Sequence, residues 1–176
     1  MLRVKCIASC AAFVAALVAC AGSARGTDIG GTISSTLTIT ENSQLVDDVT
    51  CTVSGVPCIA VGGSGITLDL NGFTMTGLGD SETGCQGGPS TFPANIESGI
   101  DVSGQTGVTI RGPGLVQRFR GAGIYAHSSA GAVTVTGVTV STNCYSGILI
   151  GGGSDHVFTD NVAVRNGNGS FPCGGI

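Results

Sequence analysis

Residues 99–124 read GIDVSGQTGVTIRGPGLVQRFRGAGI, and residues 123–148 read GIYAHSSAGAVTVTGVTVSTNCYSGI. Each stretch begins and ends on a Gly-Ile pair, so that Ile100, Ile124 and Ile148 recur at intervals of 24 residues. A further Gly-Ile pair ends at Ile176, 28 residues later. Self-similarity at a nearly fixed period of this length indicates a repeat protein, in which each unit packs against its neighbours.

Each repeat contains three short stretches in which apolar and polar residues alternate, separated by turns rich in glycine and serine. Alternation of this kind, with many Val, Ile and Thr residues, is typical of β-strands. Beyond residue 25 no segment has a helical period. We therefore predict an all-β fold, a right-handed parallel β-helix (solenoid) with three short strands per coil of about 24 residues. A β-sandwich also uses short strands, but its hairpins need not repeat at this interval.

Inward side chains of stacked coils are expected to form ladders, because one coil cannot bury its apolar residues alone. The first strand of each coil, the second and the third each supply one ladder. The residues expected in these ladders are Ile100, Ile124 and Ile148, then Val108, Val133 and Val157, then Leu115, Val138 and Val162. An outward stack of Thr67, Thr109 and Thr134 is expected to serve as a cross-strand packing ladder.

The stretches GITLDLNGFTMTG at 65–77 and DNVAVRN at 160–166, together with the Gly-Ile pairs, resemble the right-handed parallel β-helix repeat family. This superfamily includes pectate lyases and polygalacturonases, and the resemblance covers about residues 50 to 176. It implies one β-helix domain over 26–176 with an N-terminal cap and a loop inserted at 78–97. Because the chain stops at Ile176 as a new coil begins, the resemblance also implies an N-terminal fragment truncated at its C-terminus.

Residues 1–25 have the order of a secretory signal peptide: basic residues, an apolar run and then small residues. The apolar run is short for a spanning helix, and no transmembrane segment is expected in the mature chain. LVAC at 17–20 resembles the lipobox of bacterial lipoproteins, which would make Cys20 a lipidated N-terminus. The alternative is ordinary cleavage after Ala21 or Ala24. The protein is therefore expected to be exported: secreted, periplasmic or a surface lipoprotein.

Charge and cysteine content narrow the possible partners. From Gly26 onward the chain has four arginines, no lysine and eleven acidic residues, a formal charge of −7, so nucleic acid is not expected as a partner. Cys51 and Cys58 flank a turn-like SGVP and are the best disulfide candidate. The partners of Cys85, Cys144 and Cys173 stay open. No Cys/His pattern indicates a metal site, and no cofactor is identified.

In the polysaccharide lyases and hydrolases of the resembled family, the substrate groove follows the outer face of the first strand and the loops before it. Carried over to this chain, the resemblance implies Asp101 and Tyr125 on the strand and Arg118, Arg120 and Asn143 on the loops. Arginine could stabilise an enolate, and an aromatic ring could stack on a sugar. Asp101 could help to bind calcium, which is expected only for a lyase. The alternative is that these arginines are solvated loop charges.

The leading hypothesis is an exported β-helix protein that presents an extended surface to polysaccharide or a cell-surface component, without an identifiable catalytic site. The alternative is a polysaccharide lyase or glycoside hydrolase whose catalytic residues lie partly beyond Ile176. An enzyme needs carboxylates, or a base and cations, clustered on adjacent coils. A binding protein needs only polar and aromatic residues along one face.

Overall fold

A computed structural model describes residues 26–85, 97–127 and 131–167. The signal segment with Cys20, most of the loop at 78–97, Cys173 and Ile176 lie outside the described residues. Within the described ranges the chain is all-β, with no helix. The strands are β1 (Thr27–Ile33), β2 (Leu37–Ile39), β3 (Ser43–Cys51), β4 (Ile59–Val61), β5 (Thr67–Asp69), β6 (Thr74–Thr76), β7 (Ile100–Asp101), β8 (Thr109–Gln117), β9 (Ile124–His127), β10 (Thr134–Ser141), β11 (Ile148–Gly151), β12 (Val157–Thr159) and β13 (Val162–Val164).

The strands form two parallel sheets. A five-stranded sheet has the order β11-β9-β7-β4-β2, and an eight-stranded sheet has the order β1-β3-β5-β8-β10-β12, with β6 paired to β3 and β8 and β13 paired to β10. After β1, the chain visits the two sheets in alternation, one or two strands at a time. In the part of the chain that the structure describes, no helix is long and apolar enough to cross a membrane.

Inward residues of successive strands lie in register and form the core. The first predicted ladder is confirmed: Ile100, Ile124 and Ile148 pair in sequence, and all three are buried. The same ladder continues through β4 and β2 to Ile59 and Leu37. Parallel strands stack equivalent positions because their hydrogen bonds are evenly spaced along the sheet. The 24 residues between successive isoleucines are thus the length of chain that separates paired positions on neighbouring strands.

The other two ladders are partly wrong. Val157 pairs with Thr134 and is 46% exposed, and Val162 pairs with Thr139 and is 53% exposed. A shift of one residue moves a side chain to the opposite face of a strand. The observed second ladder consists of Leu68, Ile110, Val135 and Phe158, and the third of Val49, Met75, Val116, Val140 and Ala163.

The pairing of β8 with β10 contains a register shift at the turn between the second and third strands of a repeat. β8 and β10 run through this turn, and their register shifts between Thr136 and Val138. Val138 is buried but pairs with Gly114, and the third ladder contains Val140, two residues later, which pairs with Val116. The turn residues Gly137 and Asp160 both have positive φ, a conformation that glycine adopts without steric cost. The threonine stack is confirmed, since Thr67, Thr109 and Thr134 pair in register.

Two disulfides join parts of the chain. Cys51 and Cys58 are bonded, as their spacing predicted, with Cα atoms 5.9 Å apart. A second bond joins Cys85 to Cys144, across 59 residues of sequence. Both bonds are compatible with an extracellular protein, because disulfides persist in oxidising compartments.

Candidate functional site

The outer face of the five-stranded sheet carries the row in which the resemblance placed a ligand groove. Ala60, Asp101, Tyr125 and Leu149 pair in register from β4 to β11. Their neighbours Ile100 and Ile124 point into the core. The structure therefore brings Asp101 and Tyr125 onto adjacent strands of one face.

Tyr125 is nevertheless only 3% exposed, although it is on the outer side of the strand. It forms a small apolar cluster with Ala122, against which Tyr145 and Leu149 pack. Burial, and after it the negative charges of Asp101 and Tyr145, raise the pKa of the Tyr125 hydroxyl. In this conformation Tyr125 presents almost no surface on which a sugar ring could stack.

Asp101 itself is partly exposed, and its carboxylate accepts a hydrogen bond of 2.8 Å from the backbone N–H of Ser103. The hydroxyl of Ser103 in turn accepts the N–H of His127 at 3.1 Å. The ring of His127 stacks on that of Tyr125, with centroids 6.2 Å apart and planes 8° from parallel. Asp101 therefore organises a local turn. Among the described residues no group of three or more His, Cys, Asp or Glu side chains could hold a metal ion.

The predicted arginines and Asn143 lie on the segments that lead from the eight-stranded sheet back to the five-stranded sheet. We call 118–123 and 142–147 the return segments; Arg165 follows β13 at the equivalent position of the next repeat. Arg118, Thr142 and Arg165 each follow directly on a strand and share a positive φ of 59°, 52° and 55°. Equivalent positions of successive repeats thus have the same left-handed backbone conformation, and the return segments stack.

Residues 77–85 cross the stacked return segments. The N–H of Gly79 donates to the carbonyl of Arg118, and the N–H of Ser81 donates to that of Thr142. The hydroxyl of Ser81 donates to the carbonyl of Arg165. The Cys85–Cys144 disulfide fixes the end of this 77–85 segment to a return segment. The start of the predicted loop is therefore bound to the molecule along its length.

Two acidic residues near the start of the predicted loop form ion pairs with arginines that follow strands β8 and β13. Arg118 lies 3.5 Å from Asp80, whose pKa is lowered, first by a hydrogen bond from the Glu82 backbone and least by Arg118 itself. Arg165 lies 3.5 Å from Glu82, and both side chains are well exposed. Each of these arginines therefore already has a carboxylate partner supplied by the chain.

Arg120 belongs to a buried network. Its guanidinium lies 3.0 Å from the carboxylate of Glu97, and the two side chains are 16% and 6% exposed. Glu97 also accepts hydrogen bonds from the hydroxyl of Ser54 and the N–H of Gly55, at 2.9 and 2.6 Å. Ser54 and Gly55 form the turn inside the Cys51–Cys58 disulfide loop. Arg120 is thus not a solvated loop charge. Through Glu97, it connects its return segment with the end of the loop and with the turn at Ser54 and Gly55.

Asn143 is completely buried. Its side-chain oxygen accepts the N–H of Phe119, 24 residues earlier, and its side-chain nitrogen donates to the carbonyl of Val116, 27 residues earlier. Asn166 repeats the arrangement one unit later, with Asn143 and Val140 as partners. Asn143 therefore satisfies backbone groups between units, and in this structure it reaches no ligand-accessible surface.

The predicted residues are consequently not assembled into one open site. Asp101 and Tyr125 share a sheet face, whereas Arg118, Arg120 and Asn143 are engaged with the loop, with Glu97 or with neighbouring return segments. The partners of Arg118 and Arg120 come from the loop at 78–97, whose path no periodicity specifies, and those of Asn143 come from neighbouring repeats.

An open polar groove lies on the other sheet. Outward residues of its strands form one in-register row, which we call the polar row: Asp28, Gln44, Asp69, Arg111, Thr136 and Thr159. Hydrogen bonds link Gln44 to Asp28 at 2.8 Å, Arg111 to Asp69 at 3.1 Å and Thr159 to Thr136 at 2.9 Å. Above its N-terminal half is a groove of about 290 Å³, lined by Gly26, Asn42, Ser43, Gln44, Thr67, Asp69 and Arg111.

The sequence did contain a signal for this row. Asp69, Arg111 and Thr136 each stand two residues after a member of the predicted threonine stack, so strand alternation places them on the same outer face. No family model, curated protein or solved structure matches the chain.

Proposed function

We propose that this chain is an exported, right-handed parallel β-helix that binds carbohydrate on its outer surface without catalysing a reaction. In this proposal the two parallel sheets are faces of one solenoid with three short strands per coil. Its support is the alternation of the chain between the sheets and the 24-residue register of Ile100, Ile124 and Ile148. A right-handed path is the rule for crossovers between parallel strands.

The observation that carries the binding function is the polar row. It presents side-chain donors and acceptors on six adjacent strands, which are spaced about 4.8 Å apart in a sheet. A polymer of hydroxyl-bearing units can bond to such a regular array over several strands. Leu45, Leu68 and Ile110 of these strands point into the core, whereas Val46 and Val157 are 45% and 46% exposed beside the polar row.

The proposal is tested by incubating the oxidised full chain with insoluble plant and bacterial cell-wall polysaccharides, with and without calcium. We expect the protein to sediment with at least one polysaccharide and to release no sugar. Absorbance of unsaturated uronic products would reveal a lyase, and new reducing ends would reveal a hydrolase. Either product would replace the binding function with the enzymatic alternative, and failure to sediment with any polysaccharide would refute carbohydrate binding.

A further inference from the structure

We propose that the groove over the polar row is a binding site for uncharged hexose polymers, an inference that rests on the proposed carbohydrate-binding function. It differs from the face that the family resemblance suggested. Its floor is formed by three neighbouring strands, β3, β5 and β8, which contribute Gln44, Asp69 and Arg111. Asn42 and Thr67 complete its polar lining.

Internal hydrogen bonds hold the groove side chains in fixed orientations. The side-chain oxygen of Asn42 accepts the N–H of Thr67 at 2.8 Å, which leaves the amide nitrogen of Asn42 as a donor. The side-chain nitrogen of Gln44 donates to Asp28, which leaves its oxygen as an acceptor. Side chains that are already ordered lose little conformational entropy when a ligand binds.

The ion pair at the centre of the groove is directed partly outward. Asp69 accepts the N–H of Asn71 with one oxygen and bonds two nitrogens of Arg111 with the other. The Arg111 side chain is still 57% exposed, and a guanidinium has more N–H donors than these two contacts use. The groove therefore offers guanidinium and amide donors beside amide and hydroxyl acceptors. A sugar hydroxyl both donates and accepts, so it matches such a mixed array.

The charge balance selects against anionic ligands. The positive charge of Arg111 is compensated by Asp69, and Asp28 adds a second carboxylate to the same row. Glu41, next to Asn42 in sequence, brings a further negative charge to this end of the sheet. A polyuronate or a phosphate-bearing polymer would meet net repulsion here. Neutral hexose units avoid this cost and can still use every donor and acceptor.

The test measures binding of soluble hexamers to the oxidised full chain by isothermal titration calorimetry. The probes are β-1,4-glucan, β-1,3-glucan and β-1,4-mannan hexamers, with a galacturonate hexamer as the anionic comparator. The double variant Gln44→Ala/Thr67→Val removes two groove groups. The matched control Gln117→Ala/Thr139→Val makes the same chemical changes on β8 and β10 of the same sheet, outside the groove. Thermal unfolding shows whether both variants remain folded.

We expect at least one neutral hexamer to bind, about tenfold more weakly to the groove variant and unchanged to the control, since two hydrogen bonds are lost. Equal weakening by both variants, or none by either, would overturn the groove as the site while the proposed carbohydrate binding stands. Preference for the galacturonate hexamer would overturn the neutral ligand class. If no hexamer and no insoluble polysaccharide binds, both the groove site and the proposed function are refuted.

Discussion

Asn143 shows how a single side chain can hold two repeats in register. Its amide occupies a fully buried position and bonds the backbone N–H of Phe119 and the carbonyl of Val116. Asn161 makes the equivalent pair of bonds at a different turn, to Val138 and Val135. Return segments and turns have no strand ladder, so their buried backbone groups need side-chain partners. Asparagine supplies a donor and an acceptor in one group.

Replacement of Asn143 by alanine should therefore lower the free energy of unfolding by about 2 to 3 kcal/mol, because a buried N–H and a buried carbonyl lose their partner. Urea unfolding followed by circular dichroism measures this difference. Thr159→Ala, at an exposed position of the polar row, is the control and should cost about 0.5 kcal/mol or less. Equal effects of the two substitutions would contradict the structural role of Asn143.

Tyr125 should titrate at a higher pH than an ordinary tyrosine, because burial and the charge of Asp101 disfavour its phenolate. Its folded-state pKa exceeds the unfolded value, so its contribution to stability is present below about pH 10 and is lost as the pH rises through the folded pKa. Ultraviolet absorbance of tyrosinate follows this titration, and the chain has only two tyrosines. Tyr125→Phe should remove the absorbance change at high pH that we assign to Tyr125. A single step at the ordinary pKa in the wild-type protein would refute this assignment.

At the scale of elements, two ion pairs between the loop and the return segments offer a direct comparison. The pair of Arg120 with Glu97 is almost completely buried, whereas the pair of Arg165 with Glu82 is largely exposed. Removal of one partner from a buried pair leaves an uncompensated charge, while exposed pairs contribute little.

Glu97→Gln should accordingly destabilise the protein by about 3 kcal/mol, and the matched variant Glu82→Gln by less than about 1 kcal/mol. Both are measured by urea unfolding at neutral pH. Salt should reduce the small effect of Glu82→Gln and leave most of the effect of Glu97→Gln. Similar destabilisation by the two variants would show that Glu97 is not buried against Arg120.

The Cys85–Cys144 disulfide should control the dynamics of the 77–85 segment. In a Cys85→Ala/Cys144→Ala variant, the amides of Gly79 and Ser81 should exchange with deuterium faster, because the segment then depends only on hydrogen bonds and exposed ion pairs. The core amide of Ile110 should keep its slow exchange. Cys51→Ala/Cys58→Ala is the control and should leave Gly79 and Ser81 unchanged. Unchanged exchange in both variants would contradict the role given to the second disulfide.

The elements also show how far the sequence predicts this structure. The Gly-Ile repeat and strand alternation correctly predicted an all-β chain and the ladder of Ile100, Ile124 and Ile148, because both depend on local period alone. The prediction that Val157 and Val162 point inward is wrong, because they pair with Thr134 and Thr139, one residue away from the inward Phe158 and Ala163, and hydrophobic alternation does not show which residue of a short apolar run faces the core. The pairing of Cys85 with Cys144 depends on the path of a non-repetitive loop.

The candidate site was less predictable for the same reason. The resemblance implies roles for Arg118, Arg120 and Asn143, but it carries no information on the inserted loop that supplies the partners of the two arginines or on the backbone groups that Asn143 bonds in neighbouring repeats. Asp69 and Arg111 were recoverable from alternation, yet their pairing needs the register between β5 and β8, which are separated by that loop. Long-range partners of polar side chains depend on tertiary structure that local patterns do not encode.

At the scale of the whole molecule, the repeat separates a buried apolar core from the outward side chains. Inward positions form one apolar core that runs through both sheets, and outward positions are free to vary in chemistry. On the five-stranded sheet, some outward side chains form the buried cluster around Tyr125. On the eight-stranded sheet the polar row stays accessible over the groove. The two outer faces therefore differ in structure: one carries a buried aromatic cluster and the other an open polar groove.

The most direct test of this account is an NMR titration of the isotopically labelled, oxidised full chain with the neutral hexamer that binds best. We expect the largest chemical-shift changes at Gln44, Thr67, Asp69 and Arg111, on adjacent strands of one sheet. Amides of the buried Ile100–Ile124–Ile148 ladder and of the 77–85 segment should change little. Changes centred on Asp101 and Tyr125, or no saturable changes at any residue, would contradict it.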